Sequence, residues 1–334
     1  MKERDYTLDL IKTTAMLGVI ALHSMMYYIT PGHTGLADIL YDLGMTSMPL
    51  FFMVSGYLMI PRESLSYSYF MHKIWGIIRF VTIIVVLFSL YRYATHGFDV
   101  SDFIYTFFSA FTGDGRFYIF WYFTAIILCY LLTPVLSDLY HRNVKMYIFI
   151  LVTLLLLQSF FFSNNLTNII SGSIIEYQLI TPLRIHYTLF YYMLGGIICI
   201  KKVKLNSVTV FFLLCVNIIY KEVFDKHIGN EYASLFYSSI PCILLAASIF
   251  LYFKGMKISS KRFIAFSKHL SSLFLPVYAL HTFVIDHLPH HHYDTLTCAP
   301  LITLFLVSSI TICLSYILMQ IPILNLKSAT ALIR

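Results

Sequence analysis

Apolar residues along this chain come in blocks of helical length, separated by short polar stretches. Ten such blocks can be drawn: 10–30, 41–60, 74–94, 117–137, 145–163, 185–200, 206–221, 235–253, 270–288 and 299–321. Most approach the roughly 20 residues that an α-helix needs to cross the hydrocarbon core of a bilayer. The seventh carries the weakest apolar signal. The pattern predicts an all-α, polytopic integral membrane protein of about ten transmembrane helices, with residues 1–334 as a single membrane domain.

Composition points the same way. The chain is 59% hydrophobic and 12% charged, with a mean hydropathy of +0.77, whereas soluble domains are about 25% charged. The first block is too long and too charged for the apolar region of a signal peptide, so it predicts a retained span. No composition break sets off a soluble domain. The six cysteines, Cys129, Cys199, Cys215, Cys242, Cys298 and Cys313, lie mostly inside apolar blocks without a CxxC pair. They read as core-filling thiols.

The net charge of +7 would suit nucleic acid if it were concentrated on one face. Its distribution suits a membrane instead. With the N-terminus in the cytoplasm, eighteen of the 23 Lys and Arg residues fall on the inner side, and only Arg92, Arg116, Arg184, Lys221 and Lys226 on the outer. The excess of basic residues in inner loops predicts that both termini are cytoplasmic. Those loops can also hold an anionic cofactor. Outer stretches such as HTGLADILYD, HGFDVSDFIYTFFSAFTGDGR, SNNLTNIISGS and DHLPHHHYD are polar and leave room for an outward-facing chamber.

Candidate chemistry begins in the first block, LDLIKTTAMLGVIALHSMMYYI. Lys12 and His23 are eleven positions apart, which on a helix is about 20° around the axis and about 16 Å along it. Ionisable groups sharing one face of a span turn toward protein interior rather than lipid. Asp9, three residues before Lys12, can pair with it. One reading is a snorkelling lysine with a buried, hydrogen-bonded histidine. The other is a path for a long anionic ligand, with a phosphate-binding cation at its mouth and a general base at its end. PLFFMVSGYLMIPR adds Ser55 and Tyr57 beside Gly56, and FYIFWYFTAIILCYLLTPVL adds Trp121 at a span end. Small residues pack membrane helices and aromatics anchor their ends, so these positions also have structural readings. Tyr278 and His281, three apart, share a face in the ninth block. The outer group Asp286, His287, His290, His291, His292 and Asp294 sits in a loop, a poor preformed metal site, and reads as solvated surface.

Taken in order, LDLIKTTAMLGVIALHS, PLFFMVSGYLM, WYFTAIILCYLLTPVL, FYYMLGGII and LFLPVYALH resemble segments of the membrane acyltransferase 3 family, from about residue 5 to 325. The resemblance implies transfer of an acyl group, often acetyl, from cytoplasmic acyl-CoA to a hydroxyl at or beyond the outer face. Acceptors in bacterial members are envelope glycans such as O-antigen or lipid-linked oligosaccharides. It implies a multi-pass protein of the bacterial inner membrane, in contact with membrane lipid and using acetyl-CoA but no metal. The family's histidine maps onto His23 and its paired cation onto Lys12. A basic cluster at the start of the third span is represented by Lys73 and Arg79, at a different spacing. The histidine of a His-Leu-Trp-Phe pattern is replaced by Ile119.

On that footing Lys12, Lys73 and Arg79 are expected to contact CoA phosphates, with Ser55 and Tyr57 along the cofactor path. His23 is the expected catalytic base. Asp9, also expected in the catalytic machinery, is fourteen residues from it, about 21 Å along the helix, and is expected to orient Lys12 rather than His23. Trp121, Tyr278 and His281 are expected on the acceptor side. A neutral imidazole can deprotonate a hydroxyl as it attacks a thioester, or carry the acyl group itself; both routes fit. A transporter or flippase of a lipid-linked glycan is the competing reading. It would not require a Lys-x10-His pair, and no internal repeat of the transporter kind is evident.

Overall fold

The computed structural model describes residues 5–28, 35–63, 66–96, 100–171, 185–199, 204–228, 237–288 and 299–321. Among these residues the chain is helical, without strands. The helices are α1 (Tyr6–Met25), α2 (Leu36–Met45), α3 (Ser47–Met59), α4 (Tyr67–His96), α5 (Val100–Thr112), α6 (Trp121–Arg142), α7 (Val144–Ser171), α8 (Ile185–Ile198), α9 (Ser207–Ile228), α10 (Ile240–Gly255), α11 (Lys261–Ser272), α12 (Phe274–His287) and α13 (Ala299–Gln320), with a 3-10 turn at Gly115–Phe120.

In its described residues each of the ten apolar blocks falls on one helix or two consecutive ones, but not every helix has the length of a span. Tyr6–Met25, Leu36–Met59, Tyr67–Thr95, Phe117–Arg142 and Ala299–Gln320 are long and apolar enough to cross a membrane, and the bent pair α11–α12 is a sixth candidate. Val144–Phe160, Ile185–Ile198 and Ile240–Gly255 are shorter apolar helices. The chain is therefore a multi-pass, all-helical membrane protein.

α1 is the hub. It packs against α2, α3, α10, α11, α12 and α13. Of the apolar windows, 67% is buried in α1 and 78% in α2–α3, against 22% in α13. The Lys12–His23 helix thus sits inside the bundle while α13 lies at its edge. Asp5 caps α1 by accepting from the Thr7 amide at 3.0 Å. It also receives a bond from the Lys254 ammonium, which closes α10 onto the start of α1. Farther along, the Thr13 hydroxyl is 2.9 Å from the Asp9 carbonyl and 3.2 Å from the Ser267 carbonyl, tying α1 to α11.

α3 and α8 form the most extensive helix pair. Glycine makes this possible. A Cβ on Gly56 would strike the Tyr192 carbonyl, and one on Gly195 would strike the Met53 carbonyl. Backbone meets backbone, the close approach that small residues permit in membrane bundles.

Three segments depart from the sequence expectation. The second block begins at Leu36 rather than 41, because Asp38 caps the helix by accepting from the Gly35 amide at 2.9 Å. The ninth is not straight: α11 and α12 meet at Leu273 with a 66° bend. Pro276 supplies a reason, since it lacks the N–H that an unbroken helix would donate to the Ser272 carbonyl, and proline is tolerated in a first turn. The stretch expected as an outer polar loop holds α5, whose Val100, Ile104, Tyr105 and Phe108 are exposed while Thr106, Ser109 and Ala110 are buried. That inverted amphipathicity suits contact with lipid. Arg92 on α4 holds α5 through Asp102.

Lys221 also differs. Expected in an outer loop, it is only 1% exposed and lies 3.5 Å from Asp38 and 3.8 Å from Asp42. A buried ammonium needs counter-charge, and the carboxylates of α2 provide it across the α2–α9 contact. His290, His291, His292, Asp294 and Cys298 lie outside the described residues.

Candidate active site

The two ends of α1 carry different chemistry. At the Lys12 end lies a cavity of about 60 Å³, lined by Lys12, Ser55, Tyr122, Tyr130, Ser271 and Ser272 among apolar side chains. The bend at Leu273 brings both serines there. Asp9 is buried and accepts from the Ser271 hydroxyl at 2.8 Å. Ser55 stands beside the Tyr122 and Tyr130 phenols.

Cations gather at this end. Lys73 is 5% exposed and lies within electrostatic range of Arg62 and Lys12. Its ammonium is 5.4 Å from the centre of the Tyr69 ring. The Tyr69 hydroxyl in turn accepts from the exposed Arg62 guanidinium at 3.2 Å. Arg62, which ends the PLFFMVSGYLMIPR stretch, was not among the expected site residues. Like Lys73 and Arg62, Arg79 is not among the residues lining the cavity. Six positions beyond Lys73 on α4, it is turned about 120° from it around the axis. Tyr57 also leaves the cavity: its ring lies 4.7 Å from the Lys254 ammonium, beside the Asp5 cap.

At the other end, two histidines face each other. His23 and His281 have ring centres 5.0 Å apart. His281 is fully buried, and its Nδ1 lies 2.7 Å from the Tyr278 carbonyl. A carbonyl only accepts, so Nδ1 carries the proton and Nε2 is an acceptor. That Nε2 is buried with no hydrogen-bond partner among the described residues. His23 Nδ1 is 3.1 Å from the Tyr118 hydroxyl. Tyr118, half-exposed, has Asp286 and Tyr27 in electrostatic range.

Sequence reading missed Tyr118, because nothing local marks the turn that presents it. Gly113 (φ 72°) and Gly115 (φ 58°) take the left-handed conformation that reverses the chain after α5. The Tyr278 hydroxyl then donates to the Ile119 carbonyl and fixes the turn. Tyr278 is thus a brace, and it also separates the two ends. Its ring contacts Tyr122 and Phe274, which line the cavity, and His281, which does not. Trp121 packs near Phe52, Tyr187 and Tyr237. Asp9 is fourteen residues before His23 on one continuous helix, about 21 Å along the axis, so it serves the cavity end.

The fold and the site define a helical membrane protein with a cavity lined by Lys12 toward one end of its central helix and paired imidazoles at the other. A family model described as an acyltransferase domain matches residues 5–320. The chain belongs to this acyltransferase 3 family, and its activity class is that of a membrane acyltransferase. No curated protein and no solved structure matches it.

Proposed function

We propose that this protein is an O-acetyltransferase that moves an acetyl group from cytoplasmic acetyl-CoA to a hydroxyl of an envelope polysaccharide. The acceptor class is O-antigen or a similar glycan, or its lipid-linked precursor, at the outer face of the bacterial inner membrane. The observation that carries this reading is the division of α1, with a cavity lined by Lys12 toward one end and the His23–His281 pair at the other. With both termini cytoplasmic and ten crossings, as the loop charges favour, Lys12 faces the cytoplasm.

Lys12, Lys73 and Arg62 would then hold the CoA phosphates, the arginine with a bidentate fork and the lysines as point charges. The slender pantetheine arm enters past Ser55 and Tyr122. The acceptor oxygen attacks the thioester carbonyl, the C–O bond forms and the C–S bond breaks. The hydroxyl proton passes to His23 and on to the departing CoA thiolate. An acyl-histidine formed first on His23 would use the same groups in two steps.

The test is purified protein in nanodiscs, supplied with acetyl-CoA and glycan acceptor, with CoA release and glycan mass followed by mass spectrometry. Parent protein should acetylate and His23→Ala should not, although it inserts normally. Full activity in His23→Ala would refute the assignment. Glycan translocation without acetylation would establish the flippase instead.

A further inference from the structure

The Nε2 atom of His281 is a buried acceptor with no hydrogen-bond partner among the described residues, and its ring lies beside that of His23, 5.0 Å between centres. We infer that His281 is a positioning residue for His23: it accepts the Nε2 proton of His23 and so leaves His23 Nδ1 as the base that meets the acceptor hydroxyl. This rests on the acyltransferase reading above.

The direction of the chain follows from its end. The Tyr278 carbonyl can only accept, so His281 donates from Nδ1 and offers a lone pair at Nε2. The neutral imidazole that satisfies this lone pair carries its own proton at Nε2 and a lone pair at Nδ1. That second lone pair is where the Tyr118 hydroxyl sits, at 3.1 Å. One consistent order of donors results: Tyr118 to His23, His23 to His281, His281 to the Tyr278 carbonyl. Ring centres 5.0 Å apart leave room for an edge-to-edge N–H···N bond between the two imidazoles once their tilt is adjusted.

The arrangement has the logic of a hydrolase triad, in which a third group fixes the tautomer of the base and stabilises its protonated form. Here that group is neutral. Inside a membrane protein, a buried carboxylate would bring a charge that must be desolvated even in the resting state. A second imidazole brings none, and after proton transfer it accepts from the imidazolium. Tyr118 occupies the place of the acceptor hydroxyl. In turnover the substrate O–H replaces the phenol at His23 Nδ1, the proton moves to Nδ1, and the alkoxide oxygen attacks the thioester. The proton then leaves Nδ1 for the thiolate sulfur, which restores both imidazoles.

The experiment compares His281→Gln with His281→Asn. The glutamine can place an acceptor oxygen near the position of Nε2. The asparagine keeps a donor for the Tyr278 carbonyl but places nothing facing His23. Both are assayed for kcat and KM beside parent and His23→Ala, with thermal unfolding in detergent to match the amounts of folded protein. We expect kcat of the glutamine variant to exceed that of the asparagine variant by at least about tenfold, with the KM for acetyl-CoA unchanged in both. A kcat ratio near one, including loss in both, would overturn the role of His281. If His23→Ala is inactive while the two variants match, only this inference fails. If His23→Ala is active, the acyltransferase assignment fails with it.

Discussion

Lys73 and Arg79 show how much hangs on the angle of one side chain. Both stand at the start of the third apolar block, but it is Lys73 that lies within electrostatic range of Lys12, with Arg62 as a further cation beside it. Lys73→Met is therefore expected to raise the KM for acetyl-CoA by about tenfold, the equivalent of ~1.4 kcal/mol. Arg79→Met should leave it within about twofold, because Arg79 is turned away from Lys73 around α4. Steady-state kinetics at saturating acceptor measure both. Tyr118 makes the complementary point. If its phenol only holds the place of the acceptor hydroxyl at His23 Nδ1, Tyr118→Phe should keep kcat within about tenfold of the parent, less than the loss of a general base. A larger loss would make the phenol itself a participant.

Among the elements, the α3–α8 pair and the α1 cap carry the sharpest expectations. Gly56 and Gly195 meet backbone that cannot swing aside. Gly195→Ala should destabilise the bundle by at least about 1–3 kcal/mol, the range for overpacking, read as a lowered detergent unfolding temperature. At the cap, burial alone would raise the Asp5 carboxyl, but the Lys254 ammonium and Thr7 outweigh it and hold it below its ordinary value. A carboxylate depressed in the folded state stabilises it above the unfolded value of about 3.9, and the effect is lost as pH falls through the folded value. Asp5 and Lys254 are partly exposed, so Asp5→Asn should cost no more than about 1 kcal/mol near neutrality. The deficit relative to the parent should vanish in strong acid, as unfolding curves across pH would show.

Over the whole molecule, charge is placed by packing as well as by topology. Lys221, Asp38 and Asp42 join α9 to α2 inside the bundle. Lys221→Met removes the counter-charge of two buried carboxylates and should cost about 3–5 kcal/mol. Adding Asp42→Asn should restore part of that stability, because one fewer charge is left buried. Thermal unfolding of the single and double variants measures the difference.

The sequence by itself determined where the apolar helical blocks lie and that Lys12 and His23 share a face, because hydropathy and the 3.6-residue period are local properties. It also marked the family segments and the second histidine. It did not show that α5 is a helix turned apolar side out, that Leu273 marks a bend, or that Lys221 is inside. Each of these depends on what packs against the element. The partners of His23 were decided only by tertiary structure. Tyr118 arrives on a turn set by two left-handed glycines and the Tyr278 brace, and His281 on a helix that restarts after a bend. Both come from distant parts of the chain, and only the packed bundle fixes their distances to one imidazole.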